Sequence, residues 1–216
     1  MSTMRAMRRL KPDPVPDELL DKLVEAGTWA PSGSNSQAYE FVVVTDRALM
    51  RRLAELWNRS VEAYLASVGR VTPAAQDPGI RRALIYQRDH FHETPALIVP
   101  CYSGEGTDPA TLARLLKSFP PGDAARLAAR GQRVGALSDA ASVYPGVQNI
   151  LLAARALGLG AVMTTWHMML EHEWKKELGI PKEYGTFAVI PVGWPKGRFG
   201  PVKRRPAAEV IHRDRW

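Results

Sequence analysis

The chain has 216 residues, 45% of them hydrophobic and 24% charged, and this length supports one sizeable core, so we expect a single domain over residues 1–216. The one cysteine, Cys101, excludes an internal disulfide framework and a metal–thiolate cluster. The net charge of +7 points to an anionic partner, but the basic residues gather at 5–11 and 196–205 rather than in a stripe along one helix, so we expect no nucleic-acid partner.

The first residues predict neither export nor membrane insertion. Residues 1–5 lack the apolar core of a signal peptide, and the apolar stretches elsewhere are interrupted early, for example by Arg155. We therefore expect a cytoplasmic protein with no membrane partner.

Apolar spacing and turn residues predict alternating helices and strands in the first half of the chain. The predicted elements are a helix over 16–27, a polar loop over 30–37, a buried strand over 40–45, a helix over 46–68 that is broken by Gly69 and Pro73, a helix over 80–91 and a second buried strand over 95–102. The first helix follows three prolines, and its acidic first turn suits a helix N-terminus.

Residues 103–137 are weakly patterned. Glycines and prolines divide them around two helix-like segments, 111–118 and 123–130. Such a stretch in a compact domain is either a lid or partner-binding insertion, or a surface excursion without a role. The sequence leaves both interpretations open.

The second half begins with a strong helix over 138–157. Apolar residues nearly surround this helix, so we expect it to be central and buried. Gly158-Leu159-Gly160 ends it, and the pattern then predicts a short strand over 161–165, a helix over 170–178 and a third clear strand over 187–192. The final segment, 193–216, is rich in glycine, proline and arginine.

The loop over 30–37 consists of small and polar residues that cannot build a core. Ser32, Asn35 and Gln37 supply hydroxyl and amide groups at close spacing. The loop is therefore either a solvated connector or a set of hydrogen-bond partners for a polar planar ligand. Loop statistics alone favour the connector.

Several common chemistries lack their motifs. The histidines show no metal-binding spacing, and we expect no metal site. No serine lies in a GxSxG elbow, which argues against a hydrolase of that type. Gly158-Leu159-Gly160 lacks the third glycine of a dinucleotide-binding turn and follows a helix instead of a strand.

Five motifs nevertheless occur together in a fixed order. They are an Arg-x-x-Arg segment near the N-terminus, a Pro-Ser-Gly-x-Asn-x-Gln loop, a Gln-Asn helix that ends in Gly-Leu-Gly, a Pro-Val-Gly-Trp-Pro segment and a terminal Lys-x-Arg. This set is similar to that of the nitroreductase family of flavin mononucleotide (FMN) enzymes. The resemblance spans most of the chain and is weakest at 103–137. It implies an α+β nitroreductase-like fold, with a mostly antiparallel central sheet wrapped by helices, and a domain-swapped-type homodimer.

The resemblance also implies a set of cofactor-binding residues. These are Arg5, Ala6, Arg8, Pro31, Ser32, Asn35, Gln37, Met163, Thr164, Thr165, Gly193, Lys203 and Arg205. By resemblance, the basic residues at both ends of the chain hold the FMN phosphate, which fits the need of a phosphate for several charge-assisted donors. The loop contacts the isoalloxazine and ribityl groups, often from the neighbouring subunit. The backbone at 163–165 donates to flavin N5 and O4, and Gly193 lets the backbone pass close to the cofactor.

The activity that the resemblance implies is an FMN-dependent oxidoreductase. Hydride passes from NAD(P)H through the flavin to an electron-poor small-molecule acceptor, such as a nitroaromatic, a quinone or a conjugated alkene, in a ping-pong sequence. The flavin supplies the chemistry, so we assign no catalytic side chain. The natural acceptor and the choice between NADH and NADPH stay open.

Two alternatives stand beside this activity. One is a protein that binds or sequesters FMN with little turnover. The other is a flavin-fragmenting enzyme similar to dimethylbenzimidazole synthase. The sequence disfavours that branch, because Ala6 replaces its typical aspartate and no serine lies near Met163.

Overall fold

The computed structural model describes residues 1–67, 78–104 and 109–216. The helices in these ranges are α1 (Asp17–Thr28), α2 (Arg47–Ser67), α3 (Pro78–His90), α4 (Pro109–Lys117), α5 (Pro121–Ala156) and α6 (Glu171–Leu178). The strands are β1 (Tyr39–Val44), β2 (Ala96–Tyr102), β3 (Gly160–Ala161), β4 (Gly185–Thr186) and β5 (Ile190–Gly193). The predicted break after α2, at Gly69 and Pro73, lies outside the described residues.

The strands form one antiparallel sheet in the order β1-β2-β5-β3, and β4 pairs with β2. Strand β2 lies inside the sheet, and all seven of its residues are buried. Its side chains alternate between the two faces, so Ala96 and Ile98 join one core while Leu97 and Val99 join the other. The prediction of an α+β fold with a mostly antiparallel sheet is confirmed.

Helices cover both faces of this sheet. Helices α1 and α5 supply the core on one face, and α2 and α6 supply the core on the other, where Trp57 and Trp174 are fully buried. Burial of these aromatic and aliphatic side chains is the main stabilising term for each face. The central position predicted for the helix over 138–157 is therefore correct, since its apolar residues lie in the first of these cores.

Two predicted boundaries were wrong. The segment over 123–130 is not separate from the helix at 138, because α5 runs through 36 residues without a break. Pro120 and Pro121 begin this helix, and they suit its first turn because an N-terminal residue needs no backbone N–H partner. The strand expected over 161–165 is only two residues long, and Thr164 pairs with Val189 as an isolated bridge.

None of the helices in the described ranges is long and apolar enough to cross a membrane.

Candidate functional site

The two ends of the chain run side by side across the sheet. The N-terminal segment is extended, and its backbone bonds both to β3 and to the segment after β5. The bonds that join them are Met7 N–H to Ala161 O at 3.0 Å, Lys196 N–H to Arg9 O at 2.9 Å and Val202 N–H to Ser2 O at 3.0 Å. These contacts bring the basic residues of both termini to one surface.

A cleft at this surface holds basic residues from both ends. A cavity of about 470 Å³ is lined by Arg5, Ala6 and Arg8 from the N-terminal segment and by Pro201–Arg204 from the C-terminal one. Lys203 therefore faces the same space as Arg5 and Arg8. None of the described residues that line this cavity is acidic. Guanidinium and ammonium groups gathered in this way can bind a phosphate by charge-assisted hydrogen bonds.

A second basic cavity, of about 530 Å³, adjoins the first and shares Arg5 and Arg8 with it. Arg9, Arg82 and Arg198 also line it. The guanidinium of Arg9 also lies 4.8 Å from the centre of the Tyr86 ring. Five arginines thus surround one space, which predicts affinity for a second anionic group.

Arg8 also lines a third cavity, of about 220 Å³, together with Gln87 and residues 163–166. Burial lowers the pKa of the Arg8 guanidinium, and no acidic side chain of the described residues pairs with it. Gln87 is only 4% exposed, and its amide has no hydrogen-bond partner among the described residues. A partly buried guanidinium and a buried amide that line one cavity without partners among the described residues can both bond to a polar ligand there.

Residues 163–165 line the same cavity as Arg8 and Gln87, and their contact with a flavin stays a prediction. The N–H of Thr164 donates to Val189 O at 3.0 Å and is therefore not available to a ligand. Of the three backbone N–H groups at 163–165, those of Met163 and Thr165 form no backbone hydrogen bond with the described residues.

Two other predicted cofactor residues have partners within the chain. The guanidinium of Arg205 donates to Glu209 O at 2.9 Å, and Arg205 does not line the cavities at Arg8. A Cβ at Gly193 would lie 2.7 Å from Pro95 Cγ and 3.2 Å from Leu10 Cβ. Packing inside the sheet therefore already requires glycine at position 193, and its approach to a cofactor stays a prediction.

The loop from Pro31 to Gln37 lies apart from the cleft. It lines a separate cavity of about 300 Å³, and its residues do not line the cavities at Arg8. Three of its residues that are not glycine have φ near +50°, namely Ser34, Asn35 and Gln37. Asparagine tolerates that backbone region better than most residues, but the conformation needs support from the rest of the fold.

Hydrogen bonds supply that support. The N–H of Gly33 donates to Ser142 Oγ at 3.0 Å, and the N–H of Gln37 donates to Ser32 Oγ at 3.0 Å. The hydroxyls of Ser36 and Tyr102 are 3.0 Å apart. Hydrogen bonds therefore attach the loop to β2 and α5, although most of its residues are exposed.

Sequence reasoning missed three residues of the cleft: Gln87, Arg82 and Arg198. Gln87 had a detectable signal, because it lies at helical spacing between Leu84 and Phe91, and all three are buried. A glutamine in an apolar stripe is unusual and indicates a polar partner. The two arginines had no such signal, since exposed arginines are common on helices and loops.

The structure is thus an antiparallel sheet covered by helices, with an arginine-lined cleft over its edge that suits an anionic group. The chain belongs to the nitroreductase family, whose model matches residues 2–194. This result confirms the resemblance in the motifs.

Individual relatives cover nearly the whole chain. A Thermus thermophilus protein named NADH dehydrogenase is 29% identical over 210 residues, which cover 96% of this chain and 90% of the relative. A solved nitroreductase with bound FMN from Desulfitobacterium hafniense is 22% identical, with a TM-score of 0.63, and 98% of this chain and 94% of that one are covered. A solved iodotyrosine deiodinase bound to FMN and 3-iodo-L-tyrosine is 22% identical, with a TM-score of 0.68. The match covers 99% of this chain and 96% of that one. Both structures share this fold.

Proposed function

We propose that this protein is an FMN-dependent oxidoreductase that uses NAD(P)H to reduce an electron-poor small molecule. The observation that carries the proposal is the cleft at Arg8, where a partly buried guanidinium without an acidic partner among the described residues lines the same cavity as the buried amide of Gln87. Basic residues from both ends of the chain lie along the same cleft. Its relatives by name include an NADH dehydrogenase and a nitroreductase with bound FMN, which supports the choice of cofactor and reaction.

The residues present fit FMN group by group. Arg5 and Lys203 would hold its phosphate. Arg8 and Gln87 would bond the polar pyrimidine edge of the ring, which offers both acceptors and a donor. The N–H groups of Met163 and Thr165 would donate at the adjoining edge. When bound, FMN supplies two-electron redox chemistry between the reductant and the acceptor.

We further propose that the reductant is NADPH. FMN carries a single phosphate, and Arg5 and Lys203 suffice to place it in the first basic cavity. The second cavity adds Arg9, Arg82 and Arg198, which suit the 2′-phosphate that distinguishes NADPH from NADH.

We also propose a homodimer in which the loop of one chain completes the cleft of the other. Within one chain the loop and the cleft line separate cavities. Large apolar side chains remain exposed, and Trp29, just before the loop, is 79% exposed. A subunit interface would cover such side chains. The other exposed large side chains include Leu137, Met163, Met168, Met169 and Ile211.

The test is a flavin titration followed by turnover. Purified protein should be yellow or should bind added FMN, and the Arg8→Ala variant should bind FMN at least about tenfold more weakly, because it loses a charge-assisted contact. With menadione as acceptor, the FMN-loaded protein should oxidise NADPH much faster than the same concentration of free FMN. A turnover equal to that of free FMN would instead identify an FMN-binding protein, and a failure to bind FMN would overturn the whole proposal.

A further inference from the structure

The cavity behind the loop has the composition of a binding site for a cation. Its three walls are the loop, the end of β2 and the middle of α5. Most of the described side chains that line it carry hydroxyls, and the only charged group among these described residues is the carboxylate of Asp139. The lining residues are Gly33, Ser34, Ser36, Ala38, Tyr102, Ser103, Ser138, Asp139 and Ser142.

Asp139 is buried without compensation. It is 8% exposed, and burial raises the pKa of its carboxyl group. No basic side chain of the described residues forms an ion pair with it. A Cβ at Gly104 would overlap the carboxylate, so only glycine allows the backbone to approach the carboxylate this closely. An unpaired carboxylate at such a depth is destabilising unless a ligand offers it a charge or donors.

The hydroxyls divide into two groups. The hydroxyl of Ser142 accepts a hydrogen bond from the loop, and the hydroxyls of Ser36 and Tyr102 bond to each other. These three hydroxyls therefore already have partners. The hydroxyls of Ser34, Ser103 and Ser138 have no bond within the described part of the chain. A hydroxyl can accept hydrogen bonds, and an ammonium group has three N–H donors to distribute.

We propose that this cavity binds the ammonium group of the electron acceptor, with Asp139 as the counter-ion and the free serine hydroxyls as additional acceptors. The link to the acceptor rests on the proposed function, because the loop that forms one wall is the segment assigned to the flavin. An acceptor with its ammonium group in this cavity would therefore be held close to the cofactor.

Other occupants fit the cavity less well. An anion would meet the Asp139 carboxylate at close range without a basic side chain to offset the repulsion. A metal ion is not favoured, because the described residues contain no group of three metal-binding side chains. A neutral ligand would leave the carboxylate uncompensated. A basic side chain from a second copy is the remaining alternative occupant. It would keep an added amine out of the cavity.

The test uses calorimetric titration of the FMN-loaded protein with benzylamine, which is protonated at neutral pH, and with benzyl alcohol as its neutral match. Benzylamine should bind saturably and at least about tenfold more tightly than benzyl alcohol, because it gains a charge-assisted contact. Asp139→Asn keeps the size and removes the charge, so it should abolish this preference. Asp123→Asn is the matched control, since Asp123 lies on the same helix but pairs with Arg126 at an exposed site.

The outcomes separate this proposal from the proposed function. Equal binding of the two probes, or a preference that survives in Asp139→Asn, overturns the ammonium site. Failure of benzylamine to bind overturns it too, and is the result expected if a second copy fills the cavity. If benzylamine binds through Asp139 but NADPH oxidation is no faster than with free FMN, the cavity assignment stands and the oxidoreductase proposal fails.

A pair of acceptors extends the test to turnover. Wild-type protein should reduce 4-nitrobenzylamine with a kcat/KM about tenfold above that of 4-nitrobenzyl alcohol, and Asp139→Asn should reduce both equally well. A ratio that is the same in both proteins would show that the ammonium group does not enter this cavity during the reaction.

Discussion

His167 shows how a buried side chain is fixed by its neighbours. The hydroxyl of Thr186 donates to Glu171 Oε1 at 2.8 Å, so its one hydrogen is used. His167 Nε2, 3.1 Å from that hydroxyl, must therefore donate to it. The Nδ1 atom is buried and has no partner among the described residues. His167 is neutral in the folded protein, because protonation would bury an unpaired charge.

This arrangement predicts a pH dependence of stability. Burial lowers the pKa of His167 from 6.5 to about 4. Between these values the unfolded chain binds a proton that the folded chain does not, so the free energy of unfolding falls as the pH falls through this window. The loss from this one group is up to about 3 kcal/mol.

Urea unfolding at several pH values, on wild type and on His167→Gln, measures this contribution. Carboxylates also titrate in the window, so the difference between the two proteins is the informative quantity. The variant should be less pH-sensitive below pH 6.5. An identical slope in both proteins would show that His167 does not titrate as its burial requires.

The NADPH proposal makes a prediction at single residues of the second basic cavity. Arg82→Ala and Arg198→Ala should each raise the KM for NADPH about tenfold, because each removes a charge-assisted contact to the 2′-phosphate. The KM for NADH should change little. Arg81→Ala is the control, since Arg81 is exposed, lies next to Arg82 on α3 and does not line the cavity.

Steady-state kinetics with NADH and with NADPH measure these KM values. An equal loss for NADH and NADPH would indicate that the arginines bind a group that both share, such as the pyrophosphate. No loss for either would remove this cavity from reductant binding.

Among whole elements, the contact between α1 and α5 depends on small residues. A Cβ at Gly146 would lie 2.8 Å from the carbonyl oxygen of Gly27. This oxygen belongs to the backbone and cannot move away by a change of rotamer. At Gly27, by contrast, the nearest atoms to an added Cβ belong to the side chains of Ile150 and Phe41. The two helices therefore approach more closely than larger residues would allow.

Gly146→Ala should destabilise the protein by about 1–3 kcal/mol, because the added methyl group forces the helices apart. Gly122→Ala is the matched control in the same helix, since nothing lies within 4 Å of the added Cβ. That control should be neutral or slightly stabilising, as alanine favours a helix more than glycine does. Chemical denaturation of both variants checks the difference, and equal stability would contradict the close packing of α1 on α5.

The elements also show what the sequence could predict. The bounds of α1, β1, α3 and β2 were predicted to within about two residues, because local apolar spacing and flanking prolines and glycines define them. The length of α5 was missed, since Gly131 and Gly135 resemble helix breaks but are tolerated within a helix. The cleft was predicted only in part, because Gln87 and Arg82 reach Arg8 through packing between distant segments.

Considered as a whole, the chain places the two groups of residues that we assign to one cofactor in separate cavities. The cleft contains Arg5, Arg8 and Lys203, while the loop and Asp139 line a cavity elsewhere. In the homodimer that we propose, the loop of one chain completes the cleft of the other, and two-fold symmetry repeats that contact at the second cleft. Both sites of such a dimer would draw residues from both chains.

Subunit complementation tests this arrangement. Arg8→Ala disables the cleft, and the double variant Asn35→Gly, Gln37→Gly removes two loop amides while glycine still accepts the positive φ at both positions. Each variant alone should lose most NADPH oxidation. A heterodimer of the two, co-expressed with different tags and purified through both, places both defects in one site and leaves the other intact. It should recover about half of the wild-type activity, because one of two symmetric sites is complete. A heterodimer as inactive as its parents would mean that the loop and the cleft of one chain serve the same site.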